Sequence, residues 1–459
     1  MTDGSWQGDV ISLVEAFRAG DRHPREEVQA TLDAAADDPL NAVCHVDGDA
    51  ALAAAETADV TLPFGGVPLA VKELLPVAGW PDTEASLALA DRVANADSIP
   101  VERLRVGGAI PTVQTTSSEF GGVNQTTTKL HGATRNPWGA DRTPGGSSGG
   151  SAAGVSGGMF ALATASDGGG SIRIPAGFCG LVGLKTTYGR VPKGSAIGNL
   201  TAVEGCVSRS VRDTARWLDV TNGPDARDPF SLPRVDGFEA DLGVGIADLA
   251  GLRVAIVPNL GCAVVAPETE EIVAAAAEEL LAAMGAARVD LDLRLPNVMG
   301  AWGLTGGIGL RKELGERWPD CAEDLTGMMR ASVEIAEERI DLGAMVKAES
   351  RREDLNRSMA TMFADADIVL AATNPSTAFD AEGHLPSVFG GRESTGANNG
   401  ALTAPSNIYG NPAVALPAGL ASDGLPVSLQ VLAAHHREKL LLDIALLWER
   451  TRPWPLTAG

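Results

Sequence analysis

The sequence predicts an α/β protein in which helices cover a mixed β-sheet. Apolar stretches typical of strands alternate with amphipathic stretches typical of helices along the 459 residues, and this alternation favours a layered α/β fold. The composition is that of a globular protein, since 44% of the residues are hydrophobic and 21% are charged. The length suits one large domain or two to three average ones. We find no internal repeat and no clear inter-domain linker in the sequence.

Charge and cysteine content narrow the classes of function. The formal net charge of −23 at pH 7 and the isoelectric point near 4.6 argue against nucleic acid or an anionic membrane as a partner. The five cysteines lie far apart and form no CxxC pair, so we expect buried thiols and neither a zinc site nor a disulfide framework. These cysteines are Cys44, Cys179, Cys206, Cys262 and Cys321.

No pattern typical of secretion or membrane insertion is found. The start, MTDGSWQGDV, has neither a basic segment nor an apolar one. No stretch approaches about 18 consecutive apolar residues, the length typical of a membrane-spanning helix. We therefore expect a cytoplasmic protein.

The first 60 residues predict a helical segment. Residues 9–20 carry apolar side chains at helical spacing and end at Gly20, so they predict a helix. A second helix is expected from Pro24, because proline suits the first helical position and two glutamates in the first turn suit the helix dipole.

Residues 63–80 predict a strand that ends at a lysine. Val67, Leu69 and Val71 alternate along the chain as in a strand, and Lys72 follows them. A lone lysine is usually a solvated surface residue. The residues on both sides of Lys72 are apolar, which favours burial instead. From the pattern alone both alternatives stay open.

The next stretch predicts several short elements in succession. Residues 101–113 predict the end of a helix, a turn and a strand, and the polar, proline-punctuated residues 132–144 follow. After Gly146, the small residues SSGGSAAGVSGG predict a tightly packed helix. MFALATA at 159–165 predicts a buried strand, and DGGGS after it predicts a tight loop.

The second half of the chain continues the alternation of strands and helices. Residues 207–221 predict an amphipathic helix, and LRVAIV at 252–257 predicts a strand. Pro267 opens a helix that ends at Gly285. VDLDL at 289–293 then predicts another strand.

Residues 296–363 are mostly helical in pattern and rich in methionine and tryptophan. Methionine fills irregular gaps, so such a stripe is typical of a core, but lining of a substrate pocket stays an open alternative. Residues 366–373 predict a buried strand. The polar loop from 374 to about 405 is long enough to cover an active site. Two strands and a helix are expected after it.

The glycine- and serine-rich stretch at 143–173 is the strongest functional signal. Such composition can mark a flexible linker, but here an apolar segment separates two glycine runs and Ile172 follows directly. Dense glycine more often marks backbone that turns sharply or approaches another group closely. We therefore predict a pair of functional loops.

One motif in this stretch is the nucleophile elbow GxSxG of α/β-hydrolases. Frames centred on Ser147, Ser148 and Ser156 all match it, so the match carries little information in a glycine/serine run. The elbow requires a buried strand directly before the serine, and NPWGADRTP is not a strand pattern. His384, His435 and His436 are the bases that this disfavoured alternative would use. No Walker A loop, GxGxxG fingerprint or HExxH motif is present.

The stretch GGSSGGSAAGVSGGMFALATASDGGGSIRIPAGFCGLVGLKTTYGRVP strongly resembles the amidase signature family. The family pattern is GGSSGGS, a D-x-G-G-S-I-R loop and G-x-x-G-x-K-x-T-x-G-R. GVPLAVKELLPVAGW is similar to the family's lysine segment, and GATRNPW, RSVRDTA and NPAVALPAGL…GLPVSLQ extend the match over most of the chain. The resemblance implies one domain over 1–459 with a large mixed sheet covered on both faces by helices. Its parts would be the helical segment 1–60, a catalytic core at 61–225 and a helical segment at 296–363 that lines or covers the pocket.

The resemblance implies a Ser-cisSer-Lys triad. Ser171 would be the nucleophile, Ser147 the bridging serine that follows a cis peptide, and Lys72 the general base. Backbone N–H groups of Gly168, Gly169, Gly170 and Ser171 would form the oxyanion hole. Asp167, Ser148 and Arg173 would support these residues.

This triad makes a physical demand on Lys72. A serine hydroxyl attacks poorly unless a base takes its proton, and a lysine with an ordinary pKa of about 10.4 is protonated at neutral pH. Lowering that pKa to about 7 corresponds to roughly 4–5 kcal/mol, which burial can supply. The resemblance therefore requires a buried Lys72.

The sequence departs from the family pattern near the site. Ala165-Ser166-Asp167 stands where GTD is common, residues 113–116 read VQTT where GKTN is common, and residues 424–430 read GLPVSLQ where the family has GLP-x-G-x-Q. None of these touches the three catalytic positions, but they leave the substrate subgroup open.

The resemblance implies an amidase that cleaves C–N bonds of linear, cyclic or aryl amides without metal or cofactor. Carbamate or ester hydrolysis on the same triad is an open alternative. Two others are a glutaminase-like subunit of a tRNA-dependent amidotransferase and a catalytically silent binding protein. We expect a small-molecule amide or carbamate as partner, no nucleic acid and no membrane, and a homodimer is one alternative for the oligomeric state.

Overall fold

The computed structural model describes residues 4–194 and 201–458. Fifteen strands occur within those residues: β1 Val43–Val46, β2 Pro68–Lys72, β3 Ile110–Thr115, β4 Thr127–Thr128, β5 Gly132–Ala133, β6 Leu162–Asp167, β7 Val182–Lys185, β8 Val203–Ser208, β9 Arg253–Ile256, β10 Ala287–Arg288, β11 Ile368–Ala372, β12 Val388–Phe389, β13 Arg392–Glu393, β14 Ala413–Leu420 and β15 Pro426–Ala433. Eleven of them form one sheet in the order β1-β3-β2-β6-β8-β7-β14-β15-β11-β9-β10. The pairs β4–β5 and β12–β13 stand apart from this sheet.

Thirteen α-helices in the described residues cover both faces of the sheet. They are α1 Val10–Ala19, α2 Pro24–Ala36, α3 Gly48–Glu56, α4 Ile99–Val106, α5 Gly149–Ser156, α6 Arg173–Phe178, α7 Val211–Thr221, α8 Pro267–Met284, α9 Met299–Leu314, α10 Gly327–Arg339, α11 Leu342–Asp365, α12 Ala404–Tyr409 and α13 Glu438–Thr451. This arrangement confirms the predicted α/β fold with a mixed sheet. None of the helices in the described part of the chain is long and apolar enough to span a bilayer.

The first helix begins and ends where the sequence predicted, and the second helix begins where it predicted. The Asp9 side chain accepts from the N–H of Ser12 at the start of α1, and Gly20 ends that helix with a left-handed φ of 77°. At the start of α2, His23 and Glu26 cap each other's backbone N–H groups and Pro24 takes the first helical position. The two ends of α1 and the start of α2 therefore follow from the chemistry of neighbouring residues.

The central strands place the functional loops at one edge of the sheet. Strand β2 runs parallel to both β3 and β6, and every residue of β2 is buried. Because parallel strands end at the same edge, the residue that ends β2 and the loop that follows β6 lie close together. Strand β8 runs antiparallel to β6 and pairs Glu204 with Ser166.

Two elements predicted in the second half of the chain differ from the structure. Residues 289–293 do not form a strand, although their burial alternates as in one. They follow the edge strand β10, and the Val289 N–H still donates to the Val254 carbonyl of β9 at 2.9 Å, but in the described chain the pairing with β9 does not continue beyond that bond. The helix predicted over 207–221 begins only at Val211, because Ser210 caps it and residues 203–208 belong to β8.

Two further expectations were corrected. Cys44 and Cys262 are only half-buried, while the other three thiols are buried.

The loop at 374–405 contains the β12–β13 hairpin, and within the described chain it lines neither of the two cavities nearest the predicted catalytic serines. Its last residues instead support the second glycine loop from behind, where the Thr403 hydroxyl donates to the carbonyl of Gly169 at 2.6 Å.

Candidate active site

Lys72 ends strand β2 and is 0% exposed. Its Nζ donates to Ser147 Oγ at 2.7 Å and to Ser166 Oγ at 2.8 Å. Burial lowers the pKa of Lys72 to about 7, although the nearby carboxylates of Glu204 and Asp167 act in the opposite direction. The open alternative of a solvated surface lysine is therefore excluded. A lysine with this pKa is partly neutral at physiological pH and can accept a proton.

The first glycine loop presents Ser147 to Lys72. The peptide bond between Gly146 and Ser147 is cis, as the family resemblance implied. A Cβ at Gly146 would lie 2.4 Å from Ser118 Oγ, so only glycine fits beside this segment. The Ser147 carbonyl accepts from the N–H of Ser118 at 3.1 Å.

Ser148 fixes the same loop to strand β6. It is 0% exposed, and its hydroxyl lies 3.3 Å from both the carbonyl oxygen and the backbone nitrogen of Ser166. These contacts place Ser148 in a supporting position away from the cavity, and helix α5 begins directly after it. In the described chain no strand runs directly into Ser147 or Ser148, which agrees with the rejection of a nucleophile elbow.

The second glycine loop follows β6 and presents Ser171. Gly170 has a φ of 132°, and a Cβ there would lie 2.3 Å from Thr403 Oγ1, so this position requires glycine. Ser147, Ser166, Gly168 and Ser171 line one cavity of about 500 Å³. The Ser171 hydroxyl donates no hydrogen bond to another residue of the described chain, so both serine hydroxyls face the cavity without bonding to each other.

Asp167 fixes the second loop from inside. Its carboxylate accepts from the N–H of Gly170 at 2.7 Å and from the N–H of Ile172 at 3.3 Å, as a cap does at a helix start. Arg173 donates to the same carboxylate from Nε at 2.9 Å and from Nη2 at 3.1 Å. Burial alone would raise the pKa of Asp167, but Arg173 and the hydrogen bonds lower it to about 2.

Arg173 ties this loop to the far end of the chain. Its guanidinium is fully buried and donates to Gln430 and Asn407 at 2.6 Å each and to the Thr403 carbonyl at 3.0 Å. A buried guanidinium is stable only when its donors are satisfied. Asp167 and Arg173 therefore lie where the resemblance placed them as supporting residues.

The backbone of the glycine loop is oriented by its carbonyl groups. The Gly168 carbonyl accepts from Trp302 Nε1 at 2.8 Å, and a planar trans peptide then directs the N–H of Gly169 away from Trp302. In the described part of the chain, the N–H groups of Gly168, Gly169 and Ser171 have no acceptor. The resemblance also assigned the N–H of Gly170 to the oxyanion hole. In the structure that N–H donates to the Asp167 carboxylate instead.

A second cavity of about 340 Å³ adjoins the first, and the two share Glu84, Phe120, Gly121, Lys193 and Glu313 among their lining residues. Its remaining wall is largely apolar and comes from the helical segment predicted at 296–363. Trp302 of α9 and Met328 and Met329 of α10 contribute to that wall. The site therefore joins a polar compartment that contains the serines to a more apolar one.

A sequence model of the family described as Amidase matches residues 26–442. The chain belongs to the amidase family. An acylamidase from Rhodococcus erythropolis is 34% identical over an alignment of 408 positions, which covers 85% of this chain and 82% of that protein. A glutamyl-tRNA(Gln) amidotransferase subunit from Akkermansia muciniphila is 34% identical over an alignment of 471 positions, which covers 95% of this chain and 97% of that protein.

Solved structures share the fold of this amidase. A bacterial aryl acylamidase of the amidase signature family superimposes with a TM-score of 0.90 at 27% identity, over 99% of both chains. The corresponding glutamyl-tRNA(Gln) amidotransferase subunit from Thermotoga maritima gives a TM-score of 0.72 at 26% identity, over 94% of this chain and 92% of that chain. These comparisons confirm the amidase signature fold, and the family makes the protein a hydrolase of amides.

Three residues of the amidase site were not predicted as site residues. Ser166 accepts from Lys72 and stands at one of the departures from the family pattern, which was the available signal. Glu204 lies on β8, a strand that the sequence analysis missed, and lines the cavity with Ser147. Trp302 was part of the methionine- and tryptophan-rich stripe, where a core position was the favoured alternative.

Glu204 and Glu84 are two carboxyl groups that line the cavity. Glu204 is 5% exposed, its Oε2 has no hydrogen-bond partner in the described chain, and burial raises its pKa. Burial also raises the pKa of Glu84 to about 8, with Glu313 adding to the effect and Arg92 opposing it. Lys193 is the cation that lines both cavities with Glu84.

Proposed function

We propose that this amidase hydrolyses the C–N bond of small aryl or alkyl amides through an acyl-enzyme on Ser171, with Ser147 and Lys72 as the proton relay. The observation that carries the proposal is the 2.7 Å hydrogen bond between a fully buried Lys72 Nζ and Ser147 Oγ. The lowered pKa of Lys72, about 7, makes the neutral amine available as a base.

The proposed reaction has two halves. Neutral Lys72 takes the proton of Ser147 as Ser147 takes that of Ser171, and Ser171 Oγ attacks the amide carbon. The N–H groups of Gly169 and Ser171 stabilise the oxyanion, and the relay returns its proton to the departing amine. Water then attacks the acyl-enzyme along the same relay and releases the acid. The relay requires Ser147 and Ser171 to align when substrate binds, as catalytic hydrogen bonds often do only in the complex.

The shape and chemistry of the two cavities support an aryl or alkyl substituent on the substrate. Phe120, Trp302 and Met329 line the compartment next to the serines and favour an apolar group there. Carbamates and esters pass through a similar tetrahedral oxyanion, so the same residues would process them if the cavity admits them. Of these substrates, aryl amides agree best with the relatives named above.

A second candidate is the glutaminase-like subunit of an amidotransferase. It is supported by the 34% identity to the Akkermansia muciniphila protein over 95% of this chain. Lys193 lines both cavities and is suited to pairing with the carboxylate group of glutamine.

Covalent labelling tests the proposed nucleophile. A fluorophosphonate probe should label the wild-type protein and a Ser156→Ala control, in which a buried serine outside the cavity is removed. Ser171→Ala should abolish the labelling, with unfolding curves showing that the variant is folded. Labelling that persists in Ser171→Ala would contradict the assignment. Anilides, aliphatic amides, cyclic amides, carbamates and glutamine assayed side by side would then rank the substrates.

A further inference from the structure

Three metal-ligating side chains from separate parts of the chain meet beside the sheet edge that carries the site. Cys44 lies on β1, Glu73 directly follows β2, and His131 lies in the turn between β4 and β5. One candidate ligand atom from each residue lies within 4.8 Å of the others. His131 Nε2 lies 2.8 Å from Glu73 Oε1. No other group of this kind occurs in the described part of the chain.

Only one of the two oxygens of the Glu73 carboxylate has hydrogen-bond partners in the described chain. Glu73 is 1% exposed, and its Oε1 is in contact with both Thr83 and His131. Its Oε2 is buried without a hydrogen-bond partner in the described chain. A buried carboxylate oxygen that lacks a partner is costly, and a cation beside it would remove that cost.

We propose that Cys44, Glu73 and His131 bind one zinc ion, with a water molecule as the fourth ligand. Thiolate, imidazole and carboxylate together are a ligand set typical of zinc. In a tetrahedral site with zinc bonds of about 2.0–2.3 Å, ligand atoms lie roughly 3.3–3.6 Å apart. The candidate atoms lie within 4.8 Å of one another, so the more widely separated ligand atoms would have to move closer by about 1 Å when the ion binds.

The thiol must lose its proton when the metal binds. Burial and the neighbouring Glu73 carboxylate raise the pKa of Cys44, so the thiol is protonated without metal. On binding, the zinc–sulfur bond replaces the sulfur–hydrogen bond and the proton passes to solvent, with no change of oxidation state. The half-buried positions of Cys44 and His131 leave a route for the ion.

Surrounding contacts are suited to holding these ligands in place. Thr83 donates to Glu73, and Thr128 Oγ1 accepts from the His131 backbone N–H at 3.0 Å. Such contacts around a metal site orient the ligands. None of the three ligands lines the cavity of the serines, so the ion would join β1, the segment after Lys72 and the β4–β5 turn without touching a reacting atom.

The test is zinc binding by the full-length protein. After chelator treatment and dialysis, the protein is titrated with Zn²⁺ and bound metal is measured by mass spectrometry after gel filtration. We expect one equivalent for the wild type and an affinity at least about tenfold lower for Cys44→Ser and for His131→Gln. Cys262→Ser is the matched control, because Cys262 is also a half-buried thiol that contacts a backbone carbonyl at 3.5 Å.

Cobalt provides a second readout that does not depend on activity. Co²⁺ bound to a thiolate gives a charge-transfer absorption band, which we expect in the wild type and in Cys262→Ser but not in Cys44→Ser. Binding that is equal in Cys44→Ser and Cys262→Ser, or no binding by the folded wild type, would overturn the proposal. Since the readout is metal binding, failure of the proposed amide hydrolysis would leave this result unaffected.

Discussion

At the scale of single residues, the environment of Lys72 sets the pH at which the proposed relay works. The pKa of Lys72 is about 7 because the side chain is fully buried. The neutral form therefore increases as the pH rises through 7, and kcat/KM should rise with it and level off at higher pH. Among the charges that act on Lys72, Glu204 has the largest effect and raises its pKa. Glu204→Gln removes that effect, lowers the pKa of Lys72 and should move the rise in kcat/KM to lower pH.

This shift is measured as a pH–rate profile of the two proteins with one amide substrate. Glu313→Gln is the control, because Glu313 lines the same cavity but is not among the main charges that act on Lys72. A profile of Glu204→Gln that moves to higher pH, or equal shifts in both variants, would contradict the role given to Glu204. A flat profile in the wild type would argue against a lysine base altogether.

At the scale of elements, the short helix α6 depends on the ion pair at its start. Asp167 and Arg173 are each 0% exposed, and removing one partner of such a pair typically costs about 3–5 kcal/mol. Asp167→Asn should therefore lower the free energy of unfolding by about that amount and reduce kcat, because the loop that carries Ser171 loses its anchor. Urea unfolding measures the first effect and steady-state kinetics the second.

A matched control and a pH dependence sharpen this prediction. Asp354→Asn breaks an exposed pair with Arg357 and should change stability by less than about 0.5 kcal/mol. The pKa of Asp167 is about 2, below its ordinary value of 3.8. Its stabilising contribution is therefore complete above 3.8 and is lost as the pH falls through 2. Equal losses in Asp167→Asn and Asp354→Asn would contradict the anchoring role.

Helix α9 provides a test of the apolar compartment. Gly303 lines the second cavity, whereas Gly300 lies outside both cavities of the site. A Cβ at either position would meet no atom within 4 Å. Gly303→Leu should fill part of the cavity and lower kcat/KM for bulky aryl amides at least about tenfold, with a smaller effect on acetamide. Gly300→Leu should leave both rates unchanged, and both variants should gain helix stability of up to about 1 kcal/mol. If kcat/KM for bulky aryl amides changed equally in the two variants, this compartment would be excluded as the substrate site.

The sequence predicted those elements whose ends have local chemical causes. Helices α1 and α8 begin at a capping residue or a proline and end at glycine, and α2 begins at a capped proline, so these bounds could be read from the chain. The failures were elements that depend on distant partners. Residues 289–293 alternate in burial as a strand does, but in the described chain their pairing with β9 stops after the Val289 hydrogen bond, and β8 was missed although it pairs with β6 and β7.

At the scale of the whole molecule, the site depends on contacts between segments that are distant in sequence. Family resemblance could indicate Lys72, Ser147 and Ser171, since these lie in quoted motifs. It also required a buried Lys72, but it could not indicate Glu204, because the place of Glu204 follows from how β8 lies beside β6. The same holds for the Cys44, Glu73 and His131 group, whose members show no metal-binding spacing along the chain.

The overall fold can also be compared with those of a self-sufficient amidase and of an amidotransferase subunit. Its shape is nearer to the aryl acylamidase than to the Thermotoga maritima protein, with TM-scores of 0.90 and 0.72. The apolar wall of Trp302 and Met329 would leave the charged groups of glutamine poorly solvated, although Lys193 opposes this effect. We therefore expect the purified chain, with no other protein present, to hydrolyse an aryl acylamide at least about tenfold faster than it releases ammonia from glutamine. Gel filtration with mass spectrometry checks that no partner protein is bound, and Ser171→Ala measures the background of both reactions. Faster release of ammonia from glutamine, or activity only after addition of a partner protein, would favour the amidotransferase role instead.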